Sequence, residues 1–210
     1  MTKHSPTHDY LPAAGRDAYL PFYDLFTAAL GAKKLHGNLI GAADLAAGQR
    51  VLEIGCGTGN VSLRVARRYP GLEVVGTDPD PLALARARRK AGDLPGLRFE
   101  RAYGQELPYP DGSFDRVLSA LMLHHLDEAT KAATLAETAR VLRPGGSLHI
   151  VDFTGESRGL HGFLAGQLRH AGTDQIPPFA REAGLDCTKV ASSSHPVLGG
   201  VAYYRATKPA

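Results

Sequence analysis

Short apolar runs alternate with helical patterns of apolar and polar residues through the middle of the chain. Five of these runs are predicted to be strands, over 50–54, 73–77, 97–101, 114–120 and 147–153. Helices are predicted between them, over 60–69, 82–91 and 128–142. Strands that alternate with helices form βαβ units. The pattern therefore predicts an α/β fold: a Rossmann-like doubly wound sheet, mostly parallel, with helices on both faces.

The two ends of the chain have different patterns. Near the N-terminus, helices are expected over 20–30 and around 33–46. Near the C-terminus, a helix is predicted over 176–183, and two apolar segments follow at 187–194 and 197–206. No helix fits in the short gap between these segments, so we expect an antiparallel hairpin. Residues 154–174 carry no strand pattern and are expected to form a loop with a short helix over the strand ends.

Composition narrows the class of protein. Apolar residues make up 43% of the chain and charged residues 21%, as in a globular protein rather than a disordered one. The net charge of +3 allows an anionic ligand without requiring nucleic acid. Cys56 and Cys187 are too few for a disulfide framework or a four-cysteine zinc site. With no apolar run of membrane-spanning length and no secretory signal pattern, we expect a cytoplasmic protein with no membrane partner and no bound metal.

A glycine-rich turn, in the sequence VLEIGCGTGN, follows the first predicted strand. Gly55, Gly57 and Gly59 let the chain reverse and let a ligand approach the backbone. The helix that starts at Asn60 offers unpaired N–H groups and the positive end of its dipole, which suit a carboxylate or a phosphate. The dinucleotide fingerprint G-x-G-x-x-G requires a glycine where this chain has Asn60, which disfavours a nicotinamide-dependent dehydrogenase.

An acidic residue, Asp78, ends the second predicted strand. A carboxylate at this place can accept hydrogen bonds from both hydroxyls of a ribose. The glycine turn and Asp78 together predict a site for a ligand that contains a ribose. The alternative is that the glycines only make a tight turn.

Four sequence blocks follow one another along the chain: VLEIGCGTGN, VVGTDPDP, LPYPDGSFDRVLSALMLHHL and RVLRPGGSLHIVDF. In these blocks the chain resembles the class I S-adenosylmethionine-dependent methyltransferases, especially the small-molecule group. The segments FAREAGLDCTKV and VAYYRATKP resemble that family's last helix and closing hairpin. The resemblance implies methyl transfer by in-line displacement from S-adenosylmethionine to an O, N or C atom of a small organic molecule, with S-adenosylhomocysteine as the product.

The resemblance also implies a division of the chain and roles for its residues. It implies one domain over 1–210, with an N-terminal helical lid (1–47), a cofactor-binding core (48–153), and a cap segment, last helix and closing hairpin (154–210). Glu53 would hold the methionine amino group and Asp78 the ribose hydroxyls. The other residues expected along the cofactor are Gly55, Cys56, Gly57, Gly59, Asn60, Pro79, Ser119 and Ala120.

Recognition of the adenine departs from the family pattern. The family often has an acidic residue after the third strand that contacts the adenine amino group. Here Tyr103 takes that position, followed by Gly104 and Gln105. A phenol can stack on the ring or accept a hydrogen bond, and the Gly104 N–H can still reach it. We expect these three residues to contact the adenine.

Candidates for acid–base chemistry follow the fourth and fifth strands. His124 and His125 titrate near neutral pH, so either could deprotonate a hydroxyl, and either could instead cap the next helix. Asp152 ends the fifth strand at the same edge, where it could contact substrate or cap the loop. Tyr23 and His161 lie in segments expected to cover the site and are candidate lid or substrate residues. Their alternatives are helix packing and simple surface exposure.

Two other functions stay open. A nucleic-acid methyltransferase would use the same cofactor, but amino-group enzymes that act on DNA carry an N-P-P-Y-like run after the fourth strand. This chain has Ser119-Ala120-Leu121-Met122 there, and its basic runs at 64–68 and 86–90 lack interleaved aromatic residues. We therefore expect no nucleic-acid partner. A non-catalytic S-adenosylmethionine-binding protein would keep the same site without turnover.

Overall fold

The computed structural model describes residues 32–154, 175–195 and 199–210. The strands in these ranges are β1 (Arg50–Ile54), β2 (Glu73–Asp78), β3 (Leu97–Arg101), β4 (Phe114–Ala120), β5 (Leu142–Phe153), β6 (Asp186–His195) and β7 (Gly199–Thr207). They form one sheet in the order β3-β2-β1-β4-β5-β7-β6. Strands β1 to β5 are parallel, and β7 runs antiparallel to both β5 and β6. The predicted mixed sheet with an antiparallel C-terminal hairpin is confirmed.

Helices cover both faces of this sheet. They are α1 (Ala32–Ala42), α2 (Asn60–Arg68), α3 (Pro81–Ala91), α4 (Glu128–Val141) and α5 (Ile176–Glu182). Successive residues of a strand point to opposite faces. Accordingly, Val51 of β1 packs with Leu39 of α1 and Val65 of α2, while the adjacent Leu52 packs in a second core with Leu135 of α4. The two cores confirm the doubly wound architecture.

The strand order reverses beside β1. From β1 the chain moves outward through β2 and β3, then returns to add β4 on the other side of β1. A reversal of this kind leaves a crevice outside the carboxyl ends of the strands, where open α/β sheets bind their ligands. The fold therefore brings the residues after β1, β2 and β4 to one edge.

The start of β5 differs from the sequence expectation. The helix was predicted to end at residue 142 and the strand to begin at residue 147, but β5 begins at Leu142, directly after α4. The reason is pairing with the end of the chain: Gly145 N–H donates to the Lys208 carbonyl, and Lys208 N–H donates to the Gly146 carbonyl. The Lys208 ammonium also donates to the carbonyl of Ala139 at 2.7 Å and so caps the end of α4.

Three expectations fall on parts of the chain that the structure does not describe. They are the helix over 20–30, nearly all of the segment 154–174, and the side chains of Tyr23 and His161. Among the described residues, no helix is both long and apolar enough to cross a membrane.

Candidate functional site

A cavity of about 430 Å³ lies at the carboxyl ends of the parallel strands, beside the strand reversal. Most of the residues singled out from the sequence line it: Glu53, Gly55, Cys56, Gly57, Asn60, Asp78, Pro79, Tyr103, Gly104, Gln105, Ala120 and His125. Gly59, Ser119, His124 and Asp152 lie behind this wall and do not line the cavity.

The glycine turn after β1 is pinned to the end of β2. The backbone N–H groups of Gly55 and Cys56 both donate to the Thr77 carbonyl, at 2.8 and 2.9 Å. Gly55 has a φ of 72°, which favours glycine, and a Cβ there would collide with the side chain of Met122. Gly59 has a φ of 80°, and its missing Cβ makes room for Phe99. Gly55 thus shapes the cavity wall, whereas Gly59 lets α2 start close to the sheet.

A lysine reaches the start of α2 from the end of α3. The Lys90 ammonium donates to Asn60 Oδ1 at 2.8 Å and to Thr58 Oγ1 at 3.2 Å. Both Thr58 and Asn60 line the cavity. The positive end of the α2 dipole and the fixed ammonium of Lys90 make this end of the cavity favourable for a carboxylate.

Glu53 is the second-last residue of β1 and lines the cavity. It is a buried acid, with 2% of its surface exposed. Its Oε2 atom accepts hydrogen bonds from the backbone N–H of Ser62, at 2.8 Å, and from the Ser62 hydroxyl. Burial raises the pKa of Glu53 to about 8, because the ionised form loses its hydration. A positive ligand group beside this carboxyl would stabilise its ionised form.

Asp78, at the end of β2, joins the glycine turn to the start of α3. Its Oδ2 atom accepts a 2.7 Å hydrogen bond from the Gly57 N–H, and its Oδ1 atom accepts a 2.9 Å bond from the Asp80 N–H. Burial raises the pKa of Asp78 to about 6, although these two hydrogen bonds oppose the rise. Each carboxylate oxygen retains a further lone pair, so the group can accept hydrogen bonds from a pair of ligand hydroxyls.

The loop after β3 forms the opposite wall of the cavity. A Cβ on Gly104 would lie 2.9 Å from Thr134 Cγ2 on α4 and 3.1 Å from Ile54 Cγ2. The close approach therefore depends on glycine at this position. The same loop is held by α4, because Glu137 accepts the Leu107 N–H at 2.9 Å.

The histidine pair after β4 is divided between the cavity and the core. His124 is buried, and its Nδ1 atom lies 2.6 Å from Oδ1 of the fully buried Asp152. The His124 backbone N–H also donates to Asp152 Oδ2 at 3.2 Å. His125 lines the cavity, and burial together with the neighbouring His124 lowers its pKa to about 4. The imidazole of His125 is therefore neutral at physiological pH.

Two further features at the end of β4 accompany this arrangement. Leu121 has a φ of 55°, an unusual conformation for a residue with a branched side chain, and it lines the cavity. Ser119, two residues before Leu121, is buried, and its hydroxyl has no hydrogen-bond partner among the described residues.

His36 is one of two titratable residues of the cavity, with Asp127, that sequence reasoning missed. It lies on α1 and lines the cavity together with Ala32, one helical turn earlier. Burial, with a contribution from the positive charge of Arg64, lowers the pKa of His36 to about 4. The i, i+4 spacing of Ala32 and His36 was the available signal, but only the fold reveals that this face of α1 meets the cavity.

The cavity therefore combines two buried acids, a glycine turn between them and a helix N-terminus. This set suits a ligand that carries an ammonium, a carboxylate and a ribose. Among the residues that the structure describes, no group of three or more His, Cys, Asp or Glu side chains could hold a metal ion.

Comparison with known proteins finds similarity to methyltransferases. Residues 51–146 match a family model described as a methyltransferase domain. The chain is also 43% identical, over 128 residues, to a demethylmenaquinone methyltransferase from Thermus thermophilus, an alignment that covers 59% of this chain and 57% of the relative. Over residues 51–146 the chain is thus similar to a methyltransferase domain.

A second relative of this methyltransferase domain is the 27-O-demethylrifamycin SV methyltransferase from Amycolatopsis mediterranei. The two are 39% identical over 123 residues, which cover 57% of this chain and 44% of the relative. The chain thus spans about half the length of the curated relatives it matches.

Solved structures share the fold of the methyltransferase domain. A phosphoethanolamine N-methyltransferase 2 from Haemonchus contortus, in complex with S-adenosyl-L-methionine, superposes with a TM-score of 0.77. The match covers 94% of this chain and 58% of that structure at 17% sequence identity. At this level of identity, the similarity concerns the fold.

Proposed function

We propose that this protein transfers a methyl group from S-adenosylmethionine to an O, N or C atom of a small organic molecule. The observation that carries the proposal is the placement of Glu53 and Asp78, two buried acids, on either side of one glycine turn in one cavity. No phosphate-binding third glycine is present, and none is needed, because S-adenosylmethionine has no phosphate.

The residues of the cavity match the parts of this cofactor. Glu53 accepts a hydrogen bond from the methionine ammonium, and the N-terminus of α2 at Asn60, with Lys90 beside it, attracts the carboxylate. Asp78 accepts hydrogen bonds from the ribose hydroxyls. The backbone of the turn and the residues around the purine complete the site: Gly55, Cys56, Gly57, Pro79, Tyr103, Gly104, Gln105 and Ala120. Gly59 and Ser119 contribute from behind the wall.

The bound cofactor supplies a methyl group on a positively charged sulfur, which is readily displaced by a nucleophile. The protein's main task is then to hold the acceptor in line with the methyl carbon. Orientation of this kind lowers a barrier by about 7–11 kcal/mol. The apolar residues Leu121, Met122 and Leu126 line the part of the cavity next to His125 and form a wall on which an organic acceptor can rest.

A small organic acceptor is favoured over nucleic acid. The relatives' names mention demethylmenaquinone and 27-O-demethylrifamycin SV, both small organic molecules. Basic side chains of α2 and α3 bond to carbonyl groups of the protein itself: Arg64 donates to Lys33, Arg67 to Lys90 and Arg88 to Phe99. Cys56 and Cys187 are free thiols, which fits the cytoplasmic location that we also propose.

The proposal is tested by following a labelled methyl group. The full-length protein is incubated with methyl-labelled S-adenosylmethionine and, separately, with an organic-soluble extract, with RNA, with DNA and with no acceptor. We expect label in the organic fraction alone. Label in RNA or DNA would favour the nucleic-acid alternative. Absence of label everywhere, with intact binding of S-adenosylhomocysteine, would favour a non-catalytic binding protein.

A further inference from the structure

We propose that His125 takes a proton from the acceptor, that the buried His124–Asp152 pair positions His125, and that the acceptor is a phenol or an enol. This inference rests on the proposed methyl transfer and specifies the chemical class of its acceptor. It also assigns different roles to His125, His124 and Asp152, which the sequence presents as equivalent candidates.

The His124–Asp152 pair is held together by two contacts. Both oxygens of the Asp152 carboxylate engage His124: Oδ1 lies 2.6 Å from Nδ1, and Oδ2 accepts the backbone N–H at 3.2 Å. Asp152 has no exposed surface, and His124 has 5%. The carboxylate therefore fixes both the ring and the backbone of His124, and it holds the proton of this ring on Nδ1.

The rings of His124 and His125 are in contact with each other. The ring centroids of His124 and His125 are 3.9 Å apart with an interplanar angle of 43°, so the rings pack against each other and do not share a hydrogen bond. Phe153 contacts His124 edge-on, with a centroid distance of 4.8 Å. His124 is thus held between Phe153 and His125, and it supports the ring of His125 from the core side.

Charged and titratable groups face His125 from the core and from the cavity. On the core side, His125 meets His124, whose positive form would lower its pKa, and Asp152, whose negative charge raises it. Lys131 of α4 is attracted to the same Asp152 carboxylate. The other titratable side chains that line the cavity are His36, Glu53, Cys56, Asp78, Tyr103 and Asp127. Burial has the largest effect and keeps the His125 imidazole neutral, with a ring nitrogen able to accept a proton.

The imidazole of His125 lines the cavity, where it can take a proton from a bound acceptor. In the transfer, an oxygen lone pair forms the bond to the methyl carbon, and the pair of the carbon–sulfur bond goes to sulfur. The O–H bond breaks, and its proton moves to the ring nitrogen of His125. A neutral imidazole takes a proton from an O–H group that is already acidic, as in a phenol or an enol, more readily than from an aliphatic alcohol. The apolar side chains Leu121, Met122 and Leu126 beside it suit a flat organic ring.

The test compares two phenols of different acidity, phenol and 4-nitrophenol, as methyl acceptors. It is run at a pH where 4-nitrophenol is already ionised and phenol is not. We expect His125→Ala to lower kcat/KM for phenol by about 10²–10⁴-fold and to change it less than about tenfold for 4-nitrophenol, which needs no base. A purely structural role of His125 would lower both values equally, and that result would overturn the proposal.

The positioning role is tested through the pH profile. Because the Asp152 charge raises the pKa of His125, Asp152→Asn should move the acid limb of the kcat/KM profile for phenol to lower pH. The control variant is His149→Gln, a buried histidine on the same strand whose ring contacts Ser147 and not the cavity. It should leave the acid limb where it is. An unmoved limb in Asp152→Asn, or an equal movement in the control, would overturn the positioning role.

Binding of S-adenosylhomocysteine, measured by calorimetry on every variant, distinguishes failure of the proposed acceptor class from failure of the proposed function. Binding without methyl transfer to either phenol would overturn the acceptor class and leave the cofactor site standing. Absence of binding in the unmodified protein would overturn the proposed function itself, and this inference with it.

Discussion

The carboxylate of Asp78 accepts a 2.7 Å hydrogen bond from the backbone N–H of Gly57. One side chain thus fixes the glycine turn after β1 and offers its remaining lone pairs to the cavity. The residue that would bind the ribose is also a residue that shapes the turn.

Replacement of Asp78 should therefore weaken cofactor binding. Asp78→Asn keeps the size of the side chain but removes its charge and one acceptor oxygen. Since hydrogen bonds to charged groups contribute about 1.5–3 kcal/mol, we expect calorimetry to show affinity for S-adenosylhomocysteine lower by about 10- to 150-fold. The matched control is Glu73→Gln, at the exposed beginning of the same strand, where Glu73 pairs with Arg50. Equal affinities in the Asp78 variant and the control would remove Asp78 from the site.

Binding of the cofactor should release a proton from Glu53. Burial raises the pKa of Glu53 to about 8, so at neutral pH its carboxyl is mostly protonated in the free protein. The ligand's ammonium stabilises the carboxylate and lowers this pKa, and the proton leaves. Titrations with S-adenosylhomocysteine in buffers of different ionisation enthalpy should show release of about 0.5–1 proton at neutral pH.

The control for this proton release is Glu53→Gln, which keeps the side-chain shape and cannot ionise. Its binding enthalpy should be the same in every buffer. Buffer-dependent enthalpies of equal size in both proteins would assign the released proton to another group.

Acid should destabilise the fold through its buried histidines. Burial lowers the pKa of His149 from 6.5 to about 4. Between these two values the unfolded chain binds a proton that the folded chain does not, so stability is full above the upper value and is lost as the pH falls toward the lower one. The loss attributable to His149 should reach about 2–4 kcal/mol.

His149→Gln should remove that share of the pH dependence, which urea unfolding at neutral and acid pH measures. The glutamine amide can still bond to Ser147, as the imidazole does at 3.0 Å. His36 and His125, whose pKa values are also lowered by burial, should leave a smaller slope in the variant. Identical slopes in the two proteins would mean that His149 does not control acid stability.

The glycine turn should tolerate no side chain at Gly55. A Cβ there meets Met122 as well as an unfavourable φ of 72°, whereas Gly184, with a φ of 82°, faces open space. We expect Gly184→Ala to cost about 1 kcal/mol through backbone strain alone and to leave S-adenosylhomocysteine binding intact. Gly55→Ala should be less stable than this control and should bind the ligand at least about tenfold more weakly. Unchanged binding in Gly55→Ala would show that the turn does not shape the site.

The sequence was sufficient to predict the sheet and to single out most of the residues that line the cavity beside the glycine turn. Apolar runs and turn residues are local signals, and the glycines, Glu53 and Asp78 lie within or directly after strands whose ends must meet at one edge. The early start of β5 could not be predicted in this way, because it depends on pairing between Gly145 and Lys208, which are far apart in the chain.

The placement of the two histidines after β4 was harder to predict, because it also depends on a contact between residues far apart in the chain. Sequence places His124 and His125 side by side and cannot tell which of them meets the cavity. The distinction comes from Asp152 on a neighbouring strand, which draws His124 into the core. His36 was missed because a single histidine on an amphipathic helix carries no local sign of what it faces.

The central claim, that the cavity binds S-adenosylmethionine, is tested most directly by calorimetric titration of the purified protein with S-adenosylhomocysteine and, in parallel, with NAD. We expect saturable binding of S-adenosylhomocysteine, weakened in Asp78→Asn and unchanged in Glu73→Gln, and no binding of NAD. Binding of NAD alone would mean that the glycine turn serves a dinucleotide. Absence of binding by either compound would contradict the assignment of the cavity as a cofactor site.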